Sequence, residues 1–182
     1  MPKAITQLVS NTKEIDKNMN IDKEKLEKKI GEAIGLELAA QKAVMELSSK
    51  GLLPGQSTAK NKLEGMRKQA NNHQTKMEDI VSKLSQSDGL DSTKIQEMAQ
   101  ETEQKATKMM ETYLGEDPDS QEALEFLCLA EAGEVTHYEV LNAMTKGVKN
   151  KQFGTKVKSI LAEEKKHLLL CTQLAKKSAI TS

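Results

Sequence analysis

Apolar residues recur along this chain at three- and four-residue steps from near its start to near its end. That is the period of helices that each bury one face. Ile5, Leu8, Thr12, Ile15 and Met19 share one face of a short first segment, and residues 1–19 are read as a helical arm. Asn20 or Asp22 can cap the next helix, which runs to about Lys50, where Gly51 and Pro54 stop it. Gly51–Ala59 reads as a loop and a second long helix spans about 60–86. After Ser87-Asp88-Gly89, Asp91-Ser92 opens a further helix to about Leu114, with Ile95, Met98, Thr102, Ala106, Met109 and Tyr113 on one face. The break Gly115–Ser120 precedes a helix to about Met144–Gly147. Lys149–Thr155 reads as a linker before a last helix to about Lys177. The expected class is all-α: four long antiparallel helices over residues 20–182, with helix 92–114 inserted in the crossover between the second and third.

Every long stripe is interrupted by polar residues. The first reads Ile30, Ile34, Glu37, Gln41, Val44, Ser48; the second Leu63, Met66, Ala70, His73, Met77, Ile80, Leu84. The third reads Ala123, Leu127, Ala130, Glu134, His137, Leu141, Met144; the last Val157, Ile160, Glu164, His167, Cys171, Leu174. All three histidines of the chain fall on these stripes. Glu37, His73, Glu134–His137 and Glu164–His167 each lie near the middle of a helix. In an antiparallel bundle of similar helices, midpoints share one height, so these residues are expected to meet in one core layer. A buried, unpaired carboxylate costs several kcal/mol or more, and facing carboxylates repel. Divalent cations relieve both problems, and carboxylate oxygens with neutral imidazoles suit Fe, Mn or Zn. Glu-x-x-His puts two ligands on one face a turn apart, and it occurs twice, at Glu134–His137 and Glu164–His167. A lone motif of this kind, or a lone core histidine, is ordinary helical filler; the coincidence at one height favours a metal site over a metal-free polar layer.

These residues resemble the ferritin-like superfamily, and within it the rubrerythrin bundle. Gly35-Leu36-Glu37-Leu38-Ala39-Ala40 is similar to its first-helix motif, and Gly133-Glu134-Val135-Thr136-His137-Tyr138 to its third. Glu164-Lys165-Lys166-His167 matches the fourth-helix motif in full. On the second helix His73 is kept, but Ala70 stands where the family has a bridging Glu. The run His137-Tyr138-Glu139 and the extra helix also resemble a stress-associated ferritin-like family. The resemblance implies two metal ions, iron first, with Glu37 and Glu134 as terminal ligands, Glu164 as a bridge, and His73, His137 and His167 as nitrogen ligands. Glu131 is a reserve carboxylate, because three ligand charges fall short of two divalent ions. Tyr138 is a candidate neighbour of the ligands or a packing aromatic. The implied activity is reaction with peroxide or dioxygen, in oxidative stress or iron handling. The alternatives are a non-redox metal protein and a metal-free helical interaction module. No four-cysteine rubredoxin-like segment is present, so a separate electron donor, or ferrous iron itself, is expected. Dimerisation is common in the resembled families, and the Ile5/Leu8/Ile15/Met19 face is a candidate for a homodimer contact.

Composition narrows the partners. The 27 basic and 27 acidic residues cancel, which argues against a nucleic-acid partner held by a basic surface. Two Phe, two Tyr and no Trp argue against an all-β fold. The start MPKAITQLVSNTKEIDKN has no apolar run of signal length, and no stretch approaches a membrane span. Cys128 and Cys171 form no CxxC pattern. The expected setting is therefore cytoplasmic, without a membrane partner.

Overall fold

The computed structural model describes residues 21–53 and 57–181. The arm predicted over 1–19 lies outside them. Among the described residues every regular element is helical: α1 (Lys23–Ser49), α2 (Ser57–Ser87), α3 (Ser92–Leu114), α4 (Ser120–Met144), a 3-10 turn at Thr145–Gly147, and α5 (Lys151–Thr181). None of these helices is long and apolar enough to cross a membrane.

The starts follow local chemistry. Aspartates 22, 91 and 119 cap α1, α3 and α4, each accepting from the backbone N–H groups of the first turn. At α4 the Glu122 side chain returns the bond to the Asp119 N–H, which completes a capping box. Gly51, Gly89 and Gly115 take positive φ where α1, α2 and α3 end. The boundaries differ from expectation in two places. Helix α2 begins at Ser57, inside the expected loop, and α5 begins at Lys151, inside the expected linker, and extends to Thr181. There the Asn150 side chain accepts from the Gln152 N–H, so a cap starts the helix early.

Helices α1 and α2 pack together, as do α4 and α5; α1 also packs on α4, and α2 on α5. Among the described residues the backbones of the two diagonal pairs stay apart. The four therefore close a ring around one core, and α3 lies outside it, chiefly along α1. On facing helices rising numbers meet falling ones. Met66 meets Cys171, His73 meets Glu163 and Asp79 meets Lys156, so α2 and α5 are antiparallel.

The contact of α3 with α1 depends on missing side chains. A Cβ at Gly31 would lie 2.6 Å from the Met98 Cβ. One at Gly35 would meet the Ala99 carbonyl and lie 2.7 Å from the Thr102 Cβ. The Glu27 carboxylate accepts from the Asp91 N–H at 2.7 Å and holds the start of α3 against α1. On α3, Ile95 is buried as the stripe requires and Met98, Thr102 and Ala106 are half-buried, but the neighbouring Ala99, Met110 and Leu114 are buried while Met109 and Tyr113 face outward. The predicted stripe keeps to about 3.6 residues per turn, whereas the buried positions from Ile95 to Leu114 advance by about 3.8, so the contact face turns gradually around α3.

Gly35→Ala is expected to destabilise the fold by about 1–3 kcal/mol through overpacking. Gly65→Ala, where a Cβ meets nothing within 4 Å, is expected to be neutral or to stabilise by up to about 1 kcal/mol. Thermal unfolding of the two variants by circular dichroism should therefore move in opposite directions. Equal shifts would refute the close contact of α1 and α3.

Candidate metal centre

Each helix of the ring places acid or imidazole in the same layer. Glu37 on α1, His73 on α2, Glu131 and Glu134 on α4, and Glu164 and His167 on α5 are all buried. Above and below them the stripes continue in apolar residues. On α2 all seven positions of the predicted stripe are buried, His73 among them.

Glu164 lies at the centre. Its Oε1 approaches His73 Nδ1 at 2.6 Å, and its Oε2 lies 3.2 Å from His167 Nδ1. Glu37 Oε1 lies 3.3 Å from the same His73 nitrogen, and Glu131 Oε2 lies 3.6 Å from His167 Nδ1. Two groups of three result, Glu37–His73–Glu164 and Glu131–Glu164–His167. Each offers ligand atoms within 4.8 Å of one another, and the two share Glu164. The two imidazole rings stack at 5.9 Å between centroids.

The outer nitrogens are held from behind. His73 Nε2 donates to Glu163 at 2.9 Å, and His167 Nε2 donates to the Gln69 side-chain oxygen at 2.9 Å. Both rings thus present Nδ1 to the layer. The Tyr138 hydroxyl donates to Glu37 Oε1 at 2.7 Å. Glu37 Oε2, His73 Nδ1, Glu131 Oε2 and Glu164 Oε1 are buried without a hydrogen-bond partner. The close approach of His73 to Glu164 is therefore not an aligned hydrogen bond. Four orphaned ligand-type atoms in one layer are costly unless something occupies the space between them. Among the described residues the donor set fits divalent ions: carboxylate oxygen and imidazole nitrogen, all buried.

The electrostatics follow from this crowding. Burial pushes Glu37 up to about 7, against the pull of His73. Burial, and then the neighbouring Glu164 charge, hold Glu131 and Glu134 well above the usual carboxylate range. Glu164 goes the other way: burial opposes its charge, but the hydrogen bond with His167 and the close His73 imidazole hold it down at about 2. Burial would lower His73, yet the facing carboxylates of Glu164, Glu37 and Glu163 raise it to about 10. Protons thus balance charge in the metal-free layer.

Five of the six expected ligands, Glu37, His73, Glu134, Glu164 and His167, meet here. His137 does not. Its Nδ1 donates to the Gly133 carbonyl, its Nε2 lies 3.7 Å from Glu32, and its side chain is 32% exposed. Two stripes run along α4 and share Leu127, Glu134 and Leu141. One continues through Ala130 and His137, the other through Glu131 and Tyr138. The second is buried, because it puts the larger apolar ring inside. Glu131, named above as a reserve, takes the inner place. Glu163 lies off the predicted stripes, yet it reaches His73 across the α2–α5 interface. Gln69, one turn before His73, carried no signal of its own. No protein-family model, curated protein or solved structure matches the chain.

The signs of these shifts set a pH dependence for metal-free protein. Glu37 and His73 both have folded values above their usual 4.5 and 6.5. The contribution of Glu37 is complete below 4.5 and lost as pH rises through about 7. That of His73 is complete below 6.5 and lost as pH rises through about 10. Glu164 is ionised in both states across this window. Chelator-treated protein should therefore melt lower at pH 9 than at pH 6, by several degrees for a chain of this size. A flat or rising melting temperature would contradict the buried acid layer.

Proposed function

We propose that this chain is a ferritin-like bundle protein that holds two divalent metal ions and reacts with peroxide or dioxygen. Iron is the best-suited metal, with manganese or zinc as the alternatives. The observation that carries this reading is Glu164, shared between two three-residue groups, each completed by one more carboxylate and one imidazole.

Charge supports two ions. Glu37, Glu131, Glu134 and Glu164 together carry −4 when ionised, equal and opposite to two divalent cations. The second-helix carboxylate missing at Ala70 is made up from α4. Glu131 borders the same small void as Ala70, Ala40, Glu134 and His167. An alanine at 70 leaves this room on the α2 side, and Glu131 faces into it from across the ring.

Bound there, a redox-active pair would supply electrons to an oxidant; zinc would supply only charge. The chain's own groups do the rest. Glu37 and His73 would hold one ion, Glu131 and His167 the other, with Glu164 between them and Glu134 beside it. Tyr138 fixes Glu37 by its hydroxyl. Glu163 and Gln69 fix the two imidazoles, so that the lone pair at Nδ1 faces the ions once its proton leaves. Leu127, Leu141, Met77 and Ile160 pack in the surrounding core and exclude water.

Protein purified without chelator is expected to carry two ions per chain by elemental analysis. Glu164→Ala should lose both, His167→Ala at least one, and His137→Ala neither. Wild type with no more metal than Glu164→Ala would sink the site. Peroxide added to protein loaded with ferrous iron should raise near-ultraviolet absorbance. No change, with iron still bound, would leave a metal protein without turnover.

A further inference from the structure

A second feature adjoins the acid layer from outside. Helix α3 lies along α1 but has only a limited contact with α4. The three helices enclose a cavity of about 450 Å³, open to solvent on one side. Its floor on α1 is Leu36, Ala39, Ala40 and Ala43. Ala106 and Met110 of α3 form one wall; Ala130, Gly133 and Glu134 of α4 belong to the other. The volume is that of a small-molecule pocket. The eight residues from Leu36 to Ala43 give it a length of about 10 Å along α1.

Gly133 is the informative residue. A glycine inside a helix costs about 1 kcal/mol relative to alanine. At Gly31 and Gly35 close approach of α3 requires it. At Gly133 an added Cβ would meet nothing within 4 Å. Packing does not require glycine there; a side chain would instead project into this cavity. Glu134, the next residue, is 2% exposed and lines both the cavity and the inner void that touches His167. An occupant would therefore sit against the metal layer.

The geometry points to a binding site for a neutral apolar organic molecule, an alkyl chain, lying between α3 and α4 with one end against Glu134. This inference rests on the proposed metal site only for its functional meaning: the alkyl compound would be the organic substrate, or a blocker of access, at that centre. The lining favours this occupant. Its polar members are Thr107, Thr136, His137 and Glu134 among apolar residues. Thr136 and His137 Nδ1 are bonded to their own helix backbone and Glu134 belongs to the acid layer, so a charged head would be poorly matched there. A protein partner is disfavoured by area. The large apolar side chains exposed at the rim are Met109 and Leu129, whereas a stable interface covers about 800 Å² on each side.

The test is calorimetric titration of the full chain, metal-loaded and metal-free, with 1-decanol. One saturable site per chain is expected in wild type. Gly133→Leu should weaken binding at least ten-fold, while its metal content and melting temperature hold at or above wild type. Ala106→Leu fills the opposite wall and should do the same, so the result does not depend on one variant folding. Absence of saturable binding, or equal binding by both filled variants, would overturn the inference. So would a dimer in sedimentation that the filled variants abolish, because a second copy would then be the occupant. Loss of the pocket result with two ions still bound removes this inference alone. Decanol binding by wild type that carries no metal removes the metal reading and leaves the pocket.

Discussion

Four carboxylates and two imidazoles inside one apolar ring are the constraint that orders this molecule. Each ionised carboxylate taken from water costs several kcal/mol after relaxation, and four facing one another add repulsion. Such a layer persists only if positive charge reaches it. In the metal-free chain that charge is a set of protons: on His73, and on the acids that burial and Glu164 hold above the carboxylate range. Glu164 alone is held as the anion, because it lies between both imidazoles. The arrangement of protons thus follows the arrangement of ligands. The position most stabilised as a carboxylate is the one shared by both candidate metal groups.

The frame has to hold these groups to within fractions of an ångström, and it does so by backbone packing more than by side-chain pairing. Helix α1 contacts α2, α4 and α3, so its buried face is wide and includes Gly31, Ala33, Gly35, Ala40 and Ala43. Small residues on three sides let the neighbours approach while Glu37 remains the one acid at their centre. Asp88 accepts from the Lys149 N–H and ties the end of α2 to the turn before α5. Glu27, bonded to the Asp91 N–H, anchors the start of the inserted helix on α1. Surface ion pairs such as Lys83–Asp79 contribute little beside this, since exposed pairs are worth about 0–1 kcal/mol.

Much of this was legible in the residues. The five described helices, the aspartate caps and the whole α2 stripe follow from period and punctuation, because those are local signals. The placement of Glu37, His73, Glu134, Glu164 and His167 in one layer needed only equal helix lengths and antiparallel packing. The miss at His137 has a different origin. Two three-four stripes overlap on α4, and the choice between them turns on one position, Tyr138 against His137. Only the partner helices decide it, since a buried Tyr138 requires a hydrogen-bond acceptor, and Glu37 on α1 supplies one. Glu163 and Gln69 were illegible for a similar reason. Each acts across the α2–α5 interface, and rotation about a helix axis cannot be read from one helix alone.

The same choice on α4 links the acid layer to the cavity beside it. Turning Tyr138 and Glu131 inward turns His137 and Gly133 toward α3. Had His137 been inside, Glu131 would have rotated away, and the layer would hold three carboxylates instead of four. The face now turned outward would also have lost its glycine. One rotation of α4 therefore sets three things together: the fourth carboxylate of the layer, the bond that holds Glu37, and the open wall at Gly133. The group around His167 depends on that rotation, because beside Glu164, which both groups share, it is Glu131 that completes it.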